Sequence, residues 1–110
     1  MDIEQLDDIV YIKTSGYFNQ ELGQKVLKNC MDQIDQGNKH FLIDLVDSKM
    51  VNSIGISMLI EVIEKLQEID GKLAFCNLAP VVDKTFKIMG IAKYAEIART
   101  KDEGLKLFEN

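Results

Sequence analysis

The run Phe41-Leu42-Ile43-Asp44-Leu45 constrains this chain more than any other feature. A short, nearly unbroken apolar run reads as a strand covered on both faces, the pattern of a central strand in a sheet that carries helices. A helical pattern follows from Ser53 to Ile69. Ile56, Leu59, Ile60, Ile63 and Leu66 fall on one stripe, and Glu61, Glu64, Lys65 and Glu68 mark a solvated side. Ile54, Met58 and Val62 form a second apolar stripe, which faces either a neighbouring helix or a partner protein. A buried strand feeding such a helix is half of a βαβ unit, and the rest of the chain repeats the alternation.

Ile3 to Leu6 and Ile9 to Thr14 are β-prone runs separated by Asp7-Asp8, which predicts an antiparallel hairpin at the start. Asn19 is placed to cap a helix whose Leu22, Val26, Cys30 and Ile34 recur at helical spacing, with Leu27 and Met31 beside them and Gly37 at its end. Asp70-Gly71 closes the Ser53 helix, and Lys72 to Cys76 reads as a further strand. Pro80 suits the first turn of a third helix with Val82, Phe86 and Met89 on its core side, ended by Gly90. Glu96 to Ala98 reads as a short strand. Thr100-Lys101-Asp102-Glu103 fits a capping box that opens a last helix, with Leu105 and Phe108 on one side. Right-handed crossovers between these elements predict a single α/β domain over 1–110: a mixed, mainly parallel sheet with an N-terminal hairpin strand and about four helices against it.

Charge and cysteine usage exclude several function classes. The net charge is −5, with 18 acidic and 13 basic residues and no basic run, so phosphate-backbone contacts have little to draw on. Direct nucleic-acid binding is not expected. No apolar stretch approaches the ~20 residues that span a bilayer, and the acidic start Met1-Asp2-Ile3-Glu4-Gln5 is unlike a secretory signal. The expected location is the cytoplasm. Cys30 and Cys76 belong to no CxxC or Cys/His cluster and read as reduced core residues.

Catalytic chemistry has few candidates. His40 is the only histidine. It opens the Phe41 strand, whereas Ser53 lies past the strand's far end, so a Ser-His arrangement is out of reach and His40 reads as a solvated strand-end residue. Asp44 and Asp47 read as aspartates near a strand end that accept loop N–H bonds. No phosphate-cradling glycine loop is present. The chain is therefore expected to be no enzyme, with no cofactor and no metal.

Asn52-Ser53-Ile54-Gly55 is where a side chain is best placed to act. A helix start carries unpaired N–H groups and the positive end of the macrodipole, so a phosphate on Ser53 would be electrostatically favoured there. Asn and Ser are also the preferred N-cap residues, and in sequence terms most such pairs before a helix only cap it.

The hairpin, the Gly16-Tyr17-Phe18-Asn19 turn, the segment from Leu45 to Gly55, and Asn77-Leu78-Ala79-Pro80-Val81-Val82 before Phe86-Lys87-Ile88-Met89-Gly90 together carry a family resemblance. Over nearly all its residues the chain resembles the STAS domain, and specifically the bacterial anti-sigma factor antagonists. The resemblance implies partner switching. Ser53 matches the serine that is phosphorylated by a partner kinase doubling as the anti-sigma factor, and a metal-dependent serine phosphatase reverses the step. The implied partner-binding residues are Asn19, Asn52, Ser53, Ile54, Gly55 and Met58, with a homodimer as a further option. Asn19 and Asn52 stand where the family has aspartates, and Ile54 replaces a second hydroxyl. A non-switching STAS scaffold and a small-ligand sensor are the alternative expectations.

Overall fold

The computed structural model describes residues 1–109. Strand β1 (Asp2–Leu6) and strand β2 (Ile9–Ser15) form the antiparallel hairpin, turning through Asp7 in the left-handed region at φ 56°. Helix α1 (Gln20–Asp35) leads to β3 (His40–Asp47), α2 (Ser53–Glu68) to β4 (Lys72–Cys76), and α3 (Pro80–Ile88) with a 3-10 turn at Ile91–Lys93 to β5 (Glu96–Ala98); α4 (Lys101–Lys106) follows. The strands lie in chain order in one sheet, and β2 through β5 are parallel. This is the expected mixed α/β sheet.

The sheet is covered unequally. Val10, Ile12, Phe41, Ile43, Leu45, Leu73 and Phe75 point into the larger core with α1, α2 and α3, whereas Ile9, Tyr11, Leu42, Ala74 and Cys76 form a smaller cluster with Leu6, Ala98, Leu105, Leu107 and Phe108 on the α4 side. Phe75 and Phe86 pack edge to face with centroids 4.9 Å apart, which fixes α3 on β4. Gly37 at φ 99° ends α1 in a Schellman arrangement, its N–H bonded to the Ile34 carbonyl and that of Asn38 to Gln33. Thr100 accepts from the Glu103 N–H at 3.1 Å, the bond expected of the last helix start. Both cysteines are free and buried.

Three sequence expectations need correction. β3 runs on to Asp47, so Asp44 is an interior strand residue, 3% exposed, and not one at the strand end. His40 is only partly solvated: it is half-buried, with Nδ1 3.3 Å from the Asp8 carboxylate and its ring 5.6 Å from that of Phe108. Phe108 itself lies beyond the end of α4, although it packs in the cluster with Leu105. The second stripe of α2 is covered only in part by a neighbouring helix. Val62 is fully buried and Met58 is half-buried beside Gly23 of α1, while Ile54 stays 51% exposed.

Candidate functional site

Two helix starts meet side by side at the carboxyl end of β2 and β3. Beyond β2 the chain makes one isolated parallel pair, Phe18 with Val51. Its backbone bonds run from the Phe18 N–H to the Met50 carbonyl at 2.8 Å and from the Asn52 N–H to the Phe18 carbonyl at 3.1 Å. One step before this pair brings Tyr17 beside Met50, and one step after it brings Asn19 beside Asn52. Phe18 is buried in the core, while Tyr17 and Met50 are exposed at 48% and 66%. Asn19 and Asn52 are the N-caps of α1 and α2.

Both caps are made by side chains. Asn19 Oδ1 accepts from the Leu22 N–H at 3.1 Å, and Asn52 Oδ1 accepts from the Gly55 N–H at 2.8 Å. With Asn52 capping, Ser53 is released from that role. It is the first helical residue of α2 and is exposed. Its neighbourhood combines the positive ends of two 16-residue helices with no acidic residue in the first turn of α2.

Gly55 and Gly23 explain how two helix starts come this close. A β-carbon on Gly55 would collide with the Phe18 carbonyl oxygen and lie 2.8 Å from that of Asn19. One on Gly23 would lie 3.0 Å from the Gly55 carbonyl and from Met58 Cγ. Gly55 is therefore buried as a point of backbone contact, and the exposed surface here includes Tyr17, Met50, Ser53 and Ile54, flanked by the exposed Glu21 in the first turn of α1 and by Lys49, with half-buried Asn19 and Asn52 between the helices.

Tyr17 and Met50 were not singled out by periodicity. The signal was present as two matching tripeptides, Tyr17-Phe18-Asn19 and Met50-Val51-Asn52, each an outward apolar residue, an inward apolar residue and a cap. On the other face of the sheet, the Asp44 carboxylate is buried and accepts three hydrogen bonds: from the Tyr11 hydroxyl at 2.5 Å, the Val46 N–H at 3.0 Å and the Asn77 amide at 3.1 Å. Burial and the Asp44 hydrogen bond hold the Tyr11 hydroxyl well above its usual range, and Lys101 sits 4.2 Å over the Tyr11 ring. Burial also pushes the Cys30 and Cys76 thiols up to about 12, which leaves both inert as nucleophiles near neutral pH.

His40 opens β3 at the opposite end from the segment leading to Ser53. Among the described residues no cluster of His, Cys, Asp and Glu has the makings of a metal site, and no helix is long and apolar enough to cross a membrane. The groove between α3 and β5, about 790 Å³ and lined by Leu78, Pro80, Lys87, Ile97 and Arg99 among others, contains no residue of the two helix starts.

Comparison with known proteins bears on this geometry. The model of the STAS domain matches residues 1–104. BtrV of Bordetella bronchiseptica, a candidate anti-sigma factor antagonist, is 21% identical over 99% of this chain and 94% of its own length. A crystal structure of a candidate anti-sigma factor antagonist from Thermotoga maritima superposes with a TM-score of 0.91 at 15% identity, covering 99% of this chain and 94% of that one. The phosphorylated form of the Bacillus cell fate determinant SpoIIAA superposes with a TM-score of 0.76 at 18% identity, covering 96% of each chain. At these identities the solved structures speak to the fold.

Proposed function

Since the chain belongs to the STAS domain family, we propose that it is an anti-sigma factor antagonist acting by partner switching, with Ser53 as the switch. Unmodified, it docks through the paired helix starts on an anti-sigma factor with serine-kinase activity and displaces that protein's client. Phosphorylation of Ser53 ends the docking, and a metal-dependent serine phosphatase restores it. The setting is the cytoplasm, and the protein acts by binding and not by catalysis.

The observation that carries this reading is the position of Ser53, exposed at the first turn of α2 and freed from capping by Asn52. A phosphate adds about −1.5 to −2 charges at neutral pH. The local helix tolerates this through its dipole, but an interface built on Tyr17, Met50 and Ile54 loses affinity because the charge must be desolvated without a partner. The two effects act on different equilibria. The existence of SpoIIAA in unphosphorylated and phosphorylated forms supports the analogy.

Calorimetric titration of an anti-sigma factor kinase with Ser53→Ala and Ser53→Asp tests the proposal. Tight binding by the first and loss of binding by the second is expected. Equal affinities would remove the switch and leave a STAS scaffold.

A further inference from the structure

We propose that Asp44 is the positioning residue for Ser53, acting through a bulge in β3 that its carboxylate holds. The claim rests on the reading of Ser53 as the functional residue, although the geometry stands without it. Lys13 of β2 pairs with Asp44, but Ser15 pairs with Asp47, so β3 spends one more residue than β2 over this interval. An extra residue leaves its backbone N–H without a ladder partner. The N–H of Val46 is taken by Asp44 Oδ1 at 3.0 Å.

The bulge changes which way the rest of the strand faces. Leu42 and Asp44 belong to the α4 side of the sheet with Tyr11. Strict alternation would put Ser48 on that side and Asp47 on the other. Instead Asp47 lies 3.5 Å from Lys13, a residue of the α4 side, and Ser48 is fully buried with its hydroxyl 2.7 Å from that of Thr14. Beyond the bulge the chain slips by one residue more as it follows the residues that precede α1, since Ser15 pairs with Asp47 but Phe18 with Val51. The Gly16 N–H reaches the Asp47 carbonyl at 2.9 Å, the Phe18 N–H that of Met50, and the Asn52 N–H that of Phe18. Asn52 then caps α2 and Ser53 follows it.

Asp44 is also braced from both neighbouring strands. Tyr11 donates to its Oδ2 from β2, and Asn77, in the left-handed region at φ 59° just past β4, donates to its Oδ1. No cation lies within ion-pair distance of this carboxylate among the described residues, and its bonds come from groups that fix direction. The arrangement orients the bulge relative to the sheet, and through it the start of α2.

The test is amide hydrogen exchange read by ¹⁵N NMR on the parent, Asp44→Leu, Asp44→Asn and Tyr11→Phe, together with the through-hydrogen-bond coupling between Val46 N and Asp44 Cγ in the parent. Asp44→Leu should speed exchange at Gly16, Phe18 and Gly55 by about tenfold or more relative to Phe75 and Phe86, which report the core. Asp44→Asn retains an acceptor for Val46 and should restore these amides to within about threefold, as should Tyr11→Phe, which leaves that bond intact. Absence of the coupling, unchanged exchange at the helix starts in Asp44→Leu, or an Asp44→Asn variant as disturbed as Asp44→Leu overturns the proposal. If Asp44→Leu does not fold, the coupling and the Asn variant carry the test alone. None of these readouts depends on phosphorylation, so a Ser53 that proves never to be modified would overturn the switch and leave the Asp44 result standing.

Discussion

Gly55 lies against the backbone of Asn19 so closely that a β-carbon at position 55 would be 2.8 Å from the Asn19 carbonyl oxygen. The contact joins the first turn of α2 to the cap of α1. It makes the two helix starts one surface.

Gly55→Ala is therefore expected to destabilise the domain by about 1–3 kcal/mol, because the obstructing atoms are backbone carbonyls of Phe18 and Asn19 and not flexible side-chain ends. Urea unfolding measures the loss. A stability change near zero would mean that α1 and α2 slide apart without cost, and the single surface would lose its physical basis.

The division of labour between Asn52 and Ser53 predicts opposite outcomes for adjacent alanines. Asn52→Ala removes the acceptor of the Gly55 N–H and should cost ~1 kcal/mol. Ser53→Ala should stay within about 0.5 kcal/mol, as usual for an exposed site. Ser53→Asp should match the parent or gain up to ~1 kcal/mol from the helix dipole. Thermal or urea denaturation of the three variants reads these differences, and a large loss in Ser53→Ala would return the serine to a structural role.

Alkaline pH should unfold this protein in a defined window. The Cys30 and Cys76 thiols are raised from 9.0 to about 12 and the Tyr11 hydroxyl is raised from 10.0, so the folded state keeps protons that the unfolded chain releases first. Fewer protons on the unfolded state make stability fall as pH rises. The contribution is complete below pH 9 and is lost progressively between about 9 and 12. Urea midpoints at pH 8, 9.5 and 10.5 (roughly spanning that window) should decline, and the decline should be shallower in Cys30→Ala. Flat midpoints would contradict the assigned burial of these groups.

His40→Gln should leave partner binding unchanged and cost at most about 1 kcal/mol, since the contact with Asp8 is largely exposed and the ring packing with Phe108 is peripheral. Loss of a hydrolytic or transfer activity in that variant, with binding intact, would make Ser53 a nucleophile in place of a switch.

The order and type of elements were legible because the strands of a two-face-covered sheet are short apolar runs and the helices carry caps that sequence displays, as at Asn19, Asn52 and Thr100. The place of Ser53 at the start of α2 was legible for the same reason. The isolated Phe18–Val51 pair was not, because two residues of parallel pairing carry no periodicity and follow two one-residue slips in register, one at the Asp44 bulge and one between Asp47 and Val51. Asp44 itself was misread as lying near a strand end since a polar residue inside a buried strand is understood only once its donors, Tyr11 and Asn77, are brought in from distant parts of the chain. The cover over His40 comes from Phe108, far away in sequence, and has no local signal.

Whether Ser53 is a phosphorylation switch is decided by the intact mass of the protein purified from its own cells, before and after treatment with a metal-dependent serine/threonine phosphatase, followed by peptide mapping. A species heavier by one phosphate, carried on Ser53 and lost on treatment, is expected. A single unmodified mass under every growth condition, or a phosphate on another residue, would contradict it.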